Sequence, residues 1–422
     1  MKYNRKVYPN GLRLITVPMK DTGTVTVMIL VETGSKYETK DINGISHFLE
    51  HMCFKGTVKR PTAYDIAHEL DGLGAQSNAF TSQEYTGYYA KGDAKHTEKY
   101  FDIISDVYKN STFPKEEIEK ERGVIIEEIN MYEDSPRRQV YDELLKLVYG
   151  DQPAGWSVLG PKENIRSITR EDFIKYHKKH YTPGKTIIVV AGNIDNKKVD
   201  TLVKKEFGDI AKKSKSQKIK TKDIQNKPLF YYKEKKQDQT HMIIAFRSLA
   251  YGDKQNPAVN ILSGVLAGGM SSRLFQKLRE EMGVCYYVRS YNDTYTDHGL
   301  FTISAGVDTK RVSEVVKTIK DELKNLVDKG LRKGELERVK EYLLGNLKVE
   351  LETSESFAHF YADQEIMNKP INTISDIEKK YRAVTEKDVI NMAKKLFKKD
   401  NSSLAIIGPK TDKEKIKKAF VQ

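Results

Sequence analysis

The chain reads as an α+β protein of two homologous domains, each an antiparallel-rich β-sheet packed with α-helices. Two observations predict this. Short apolar runs of strand length alternate with longer segments of helical period. The same cadence then returns half a chain later. In the first half, the run starting at Ile168-Thr169-Arg170-Glu171-Asp172-Phe173 opens a helix that ends near His180. An apolar strand over 185–192 and a helix over 199–207 follow it. Near the C-terminus, Val384-Thr385-Glu386-Lys387-Asp388-Val389 opens a helix, 404–408 reads as a strand and 413–420 as a helix. The two openings lie 384 − 168 = 216 residues apart.

The other elements follow in order. Residues 13–18 and 25–32 are apolar runs that read as strands. A helix is expected next, with Asn43-Gly44 and Ser46 as start signals and Gly56 as its stop. Ile45, Phe48, Leu49 and Met52 would give it an apolar stripe. Asn78-Ala79-Phe80-Thr81-Ser82 follows the turn Gly72-Leu73-Gly74 and reads as an edge strand. Thr112 and Pro114 mark the start of a helix over 115–130, in which Ile118, Ile125, Ile126 and Ile129 keep the helical period. Residues 212–222 are polar and basic, as a linker would be. Beyond it, 229–233 and 242–246 read as strands, with a helix from about Pro257. The expected division is therefore a domain over 1–211, a linker over 212–228 and a domain over 229–422.

Composition narrows the class. The 422 residues are 38% hydrophobic and 31% charged, enough apolar material for more than one core. No apolar stretch follows Met1-Lys2-Tyr3-Asn4-Arg5-Lys6, so no signal peptide is expected. No run of 18 apolar residues occurs, so no membrane span is expected either. Cys53 and Cys285 lie too far apart in sequence to suggest a disulfide framework, and a reducing cytoplasm is the simplest setting. The net charge of +13 comes from lysines interleaved with acids. With no zinc-finger spacing and no aromatic-basic motif, nucleic-acid binding is not expected.

The chemistry centres on His47-Phe48-Leu49-Glu50-His51. On a helix, residues four apart share a face, so His47 and His51 can address one ion. Glu50 sits beside that ion without binding it. This H-x-x-E-H order reads as a zinc hydrolase. The plain alternative is a helix that happens to hold two core histidines. Catalytic zinc takes three protein ligands and leaves a position for water, so a third is needed. Glu121 and Glu128, two turns apart on the 115–130 helix, share a stripe that includes Val124 and Ile125. A buried carboxylate on that stripe would need a partner. Glu127 is the adjacent competitor if the helix phase differs.

At these residues the chain resembles the insulinase/pitrilysin metallopeptidases, in particular the short-chain branch of the mitochondrial processing peptidase β subunit and its bacterial relatives. The resemblance covers essentially the whole chain. In that family a ligand Glu follows H-x-x-E-H after 76 residues, which here is Glu128 (128 − 51 = 77). It makes Glu121 the acid that supports a ligand and Glu50 the general base. It also implies that Arg279 and Tyr286 hold the substrate backbone, and that Asn78, Ala79 and Phe80 pair with an extended peptide. The second half has no H-x-x-E-H, and its His241, His298 and His359 are scattered, so one Zn²⁺ per chain is expected. The implied protein is a zinc endopeptidase that cleaves unfolded peptides inside a closed homodimer. The rivals are a narrow precursor-processing peptidase and a non-catalytic scaffold subunit. The intact set His47, Glu50, His51 and Glu128 argues against the scaffold.

Overall fold

The computed structural model describes residues 2–208 and 217–422. The chain forms two compact units. The first comprises Met1–Ile129, Trp156–Ile219 and Val349–Thr373, and the second Asn130–Gly155, Lys220–Lys348 and Ile374–Gln422.

The first unit holds six strands: β1 (Asn4–Val7), β2 (Arg13–Pro18), β3 (Thr24–Val31), β4 (Gln76–Thr81), β5 (Thr86–Asp93) and β6 (Thr186–Gly192). Their order in the sheet is β1-β2-β6-β3-β5-β4. Only β2 and β6 run parallel; the other pairs are antiparallel. β6 is buried throughout and β3 from Val25 onward, because helices cover both sheet faces. The helix Thr97–Lys109 packs on β3 and β5, and the helix Ser354–Ile366 packs on β6, β3 and β2. β4 is the sheet edge beside the short helix Ile45–Cys53.

The second unit repeats the plan. It holds β7 (Leu229–Glu234), β8 (Thr240–Ser248), β9 (Cys285–Thr294), β10 (Gly299–Val307) and β11 (Ser402–Gly408). Their order, β7-β11-β8-β10-β9, matches β2-β6-β3-β5-β4 strand for strand, including the single parallel pair β7/β11. The local chemistry repeats as well. Thr169 and Thr385 lie 216 residues apart, and each forms a reciprocal cap with the aspartate three residues on, Asp172 and Asp388.

The contiguous division at 211 and 229 does not describe the packed units. The helix Pro136–Tyr149, from the first half of the sequence, lies on β11, β8 and β7 of the second unit. Its Val140, Leu144, Leu145 and Val148 pack with Ile243, Ala245, Ala405 and Ile407. Reciprocally, the helix Ser354–Ile366 from the second half buries Phe357, Ala358, Tyr361 and Ala362 in the first unit. Each sheet needs both faces covered, and each half of the sequence sends one helix to the other half's sheet. Polar contacts fix the second of these helices: Glu365 accepts from Arg5 at 2.8 and 2.9 Å, and Ser354 meets Thr26 at 2.9 Å. Of the expected linker, 212–216 lie outside the described residues, and 217–228 form no helix or strand. Cys53 and Cys285 are free and buried. Among the described residues no helix is long and apolar enough to cross a membrane.

One buried group makes the fold acid-sensitive. His180 ends the helix Arg170–His180 and stacks on Tyr176 with ring centroids 4.2 Å apart. Burial, with Lys185 and Lys179 nearby, pushes its pKa down to about 3. The native state therefore holds His180 neutral while the unfolded chain protonates it below about pH 6.5. Its contribution is full above that pH and is lost as pH falls toward 3, by about 2 kcal/mol at pH 5. Urea midpoints of the chelated wild type should fall more steeply between pH 6.5 and 4 than those of His180→Gln.

Candidate metal centre

The site is built on the nine-residue helix Ile45–Cys53. Its N-cap is Gly44 in the left-handed region (φ 102°), with no side-chain cap. A Cβ at Gly44 would lie 2.6 Å from the Leu159 carbonyl oxygen, so only glycine fits. Ser46 therefore does not start the helix as its sequence position suggested. The carboxylate of Glu38 does so instead. Its Oε2 accepts from Gly44 N–H and Asn43 Nδ2, and its Oε1 accepts from Ser46 N–H, all at 2.8 Å. Burial pushes the Glu38 carboxyl up, and these hydrogen bonds oppose it.

His47, His51 and Glu128 offer ligand atoms that converge. The two Nε2 atoms are 3.3 Å apart, and each lies 3.6 Å from Glu128 Oε2. A tetrahedral zinc with bonds of about 2.1 Å has ligand–ligand edges of about 3.4 Å, so the triangle fits the ion. Among the described residues no other group of three such side chains comes this close. Glu121 Oε1 sits 2.8 Å from His51 Nδ1, which holds the proton there and leaves Nε2 free to ligate. Lys55 Nζ meets Glu121 Oε2 at 2.6 Å. Burial raises the Glu121 pKa, but His51 and Lys55 outweigh it and the carboxylate lies below its usual range. Burial and the charge on His51 push His47 down to about 3, which keeps it in the unprotonated form a metal requires.

Helix phase settles the neighbours on Lys115–Asp134. Glu121 is buried and Glu128 half-buried, whereas Glu127 is exposed. Val124 is 52% exposed, so the inward stripe carries Ile125 and not Val124. Glu50 is buried beside the triangle, and its Oε2 accepts from Thr81 Oγ1 at 2.5 Å. Burial pushes Glu50 up to about 6, with Glu128 adding to the rise and Thr81 and His51 opposing it. Thr81 ends β4, so the edge strand and the carboxylate are directly joined.

Asn78, Ala79 and Phe80 lie on β4, which among the described residues pairs with β5 on one side only. The Phe80 ring covers Gly87, where a Cβ would come within 2.3 Å of it. It also lies 5.3 Å from His359, on the helix contributed by the second half. Arg279 and Tyr286 belong to the second unit, whereas His47, His51 and Glu128 belong to the first. They touch each other: Arg279 Nη1 donates to the Tyr286 carbonyl at 2.6 Å, with its guanidinium 5.5 Å from the Tyr286 ring. The Tyr286 side chain stands exposed. Sequence reading missed Glu38, Lys55 and Thr81 as parts of the site. Thr81 was visible as a residue of the edge strand, while nothing local marks Glu38.

Removing the acid behind His51 should loosen the ion without unfolding the chain. Glu121→Gln should weaken zinc binding about 10- to 100-fold in a chelator competition. Glu127→Gln, at an exposed position, should leave it unchanged.

The comparisons bear on the family of the chain. Residues 14–162 match the family model described as insulinase (peptidase family M16), and residues 167–343 match the peptidase M16 inactive domain. An uncharacterized zinc protease of Bacillus subtilis, YmxG, is 37% identical over 95% of this chain and 97% of its own length. Another from Rickettsia felis is 35% identical over 96% of this chain and 98% of its own. In fold, a Helicobacter pylori protease superposes with a TM-score of 0.91 at 24% identity, covering 97% of this chain and 99% of its own. With both halves matched by the family's models and relatives aligned nearly end to end, the chain belongs to the insulinase family of zinc proteases, peptidase family M16.

Proposed function

We propose that this protein is a zinc-dependent endopeptidase that hydrolyses unfolded peptides. The observation that carries the reading is the convergence of His47, His51 and Glu128 with Glu50 beside them. When bound there, zinc would supply Lewis acidity toward a peptide carbonyl and a water molecule. Glu50 then takes the proton of the attacking water and passes it to the leaving amine. A carboxyl pushed up to about 6 is suited to both halves of that task near neutral pH. Thr81 keeps the Glu50 carboxylate oriented, and Glu121 keeps His51 in the ligating tautomer.

The free edge of β4 offers backbone hydrogen bonds to an extended chain, a mode that requires an unfolded substrate and tolerates many sequences. Arg279 and Tyr286, both with donors, are suited to a peptide carbonyl or a developing oxyanion. Because one chain carries both the metal ligands and this pair, a homodimer with two active sites is the assembly we propose. The free cysteines are in keeping with a reducing cytoplasm.

The test is metal content by mass spectrometry, together with cleavage of a quenched unstructured peptide. The purified chain should carry near-stoichiometric zinc and lose cleavage to a chelator. Glu50→Gln should keep its zinc and lose about 10²- to 10⁴-fold in kcat. Full activity in that variant would remove Glu50 as the base, and a wild type with neither zinc nor cleavage would favour the scaffold.

A further inference from the structure

We infer that Glu38 is the positioning residue for the metal ligand His47; this rests on the metalloenzyme reading above. His47 is the third residue of its helix, within the first turn. That turn leaves its own amides without partners and frays unless something caps it. Here no side chain at the N-cap can do so. Gly44 has φ 102°, and a Cβ there would meet Leu159, Ile165 and Gly160 at 2.6–3.0 Å. Glu38, from the loop between the turns Ser35–Tyr37 and Lys40–Ile42, takes that place with both carboxylate oxygens.

The two histidines differ in what holds them. His51 is anchored through Nδ1 by Glu121, itself held by Lys55. His47 Nδ1 is buried and has no hydrogen-bond partner among the described residues. Metal-ligating histidines are ordinarily oriented by a partner on the second ring nitrogen. Lacking one, His47 takes its direction from the backbone that carries it, and Glu38 holds that backbone. The grip extends outward. Asn43, bonded to Glu38, also donates to the Ser157 carbonyl at 3.0 Å. The Ser46 hydroxyl meets Tyr176 Oη at 2.8 Å, and that oxygen meets Thr33 Oγ1 at 2.8 Å.

Glu38→Gln tests this, because its amide would turn an NH₂ toward a site that offers only donors. Two readouts separate positioning from a merely structural role. Zinc affinity by chelator competition should fall about 10-fold, the lower end for loss of a supporting partner. The visible spectrum of the cobalt-loaded protein should shift. A folded Glu38→Gln with unchanged affinity and spectrum would overturn the inference, even with a lower Tm. If the variant fails to fold, amide exchange over residues 43–47 of the metal-free wild type decides. Protection before any metal is added supports Glu38 as the organiser, whereas protection that arrives only with zinc overturns it. A wild type that takes no zinc would defeat the metalloenzyme reading by itself, and the exchange experiment would still judge Glu38.

Discussion

Two imidazoles one turn apart can share an ion only if the short helix carrying them cannot shift, and everything at this site depends on that constraint. Nine residues are too few to be stable alone. Burial of Ile45, Phe48, Leu49 and Met52 fixes the helix sideways. Glu38 fixes its first turn and Glu121 fixes His51 in its last. Hydrogen bonds to a charged group contribute about 1.5–3 kcal/mol each, roughly twice a neutral one. Both anchors use buried carboxylates where a surface cap would be weaker. The triangle of His47, His51 and Glu128 is thus the meeting point of two helices.

The exchange of helices between the halves explains why neither unit is a continuous half of the duplicated chain. A sheet built of buried apolar strands cannot leave one face to water. Pro136–Tyr149 and Ser354–Ile366 each close the sheet of the opposite half. A consequence falls on the site: His359, read in sequence as one of three scattered histidines, packs beside Phe80 on the edge strand. The second half of the sequence therefore shapes the edge strand beside His47, Glu50 and His51.

The second unit fills the corresponding place with a different set of polar groups. The helix Asn256–Ala267 follows β8 as the histidine helix follows β3. Asn256 and Asn260, four apart, both accept from Asn292 Nδ2 at 3.2 and 3.0 Å. Ser263 meets Ser290 at 3.1 Å. Amides and hydroxyls supply both donors and acceptors, so this network satisfies itself. Imidazole nitrogens and a carboxylate converging on one point instead leave lone pairs that a cation would complete. Divergence of a few polar residues separates a triangle that could hold a metal from a hydrogen-bonded core.

Much of this was legible in the chain because it is local. Helical period alone places His47 and His51 on one face with Glu50 alongside, and apolar runs mark β2 and β6 almost to the residue. The 216-residue echo announces the repeat, and the paired Thr–Asp caps explain why it is visible. Other features required the tertiary structure. Adjacent residues on a helix point about 100° apart, so choosing Glu128 over Glu127 depends on the phase that packing imposes. The pairing of Glu38 with Gly44, of Thr81 with Glu50 and of each exchanged helix with the opposite sheet links residues whose sequence neighbours carry no sign of it. Spacing determines which side chains share a face. Only the folded backbone decides which distant donor meets which acceptor, because that choice follows from the burial of both together.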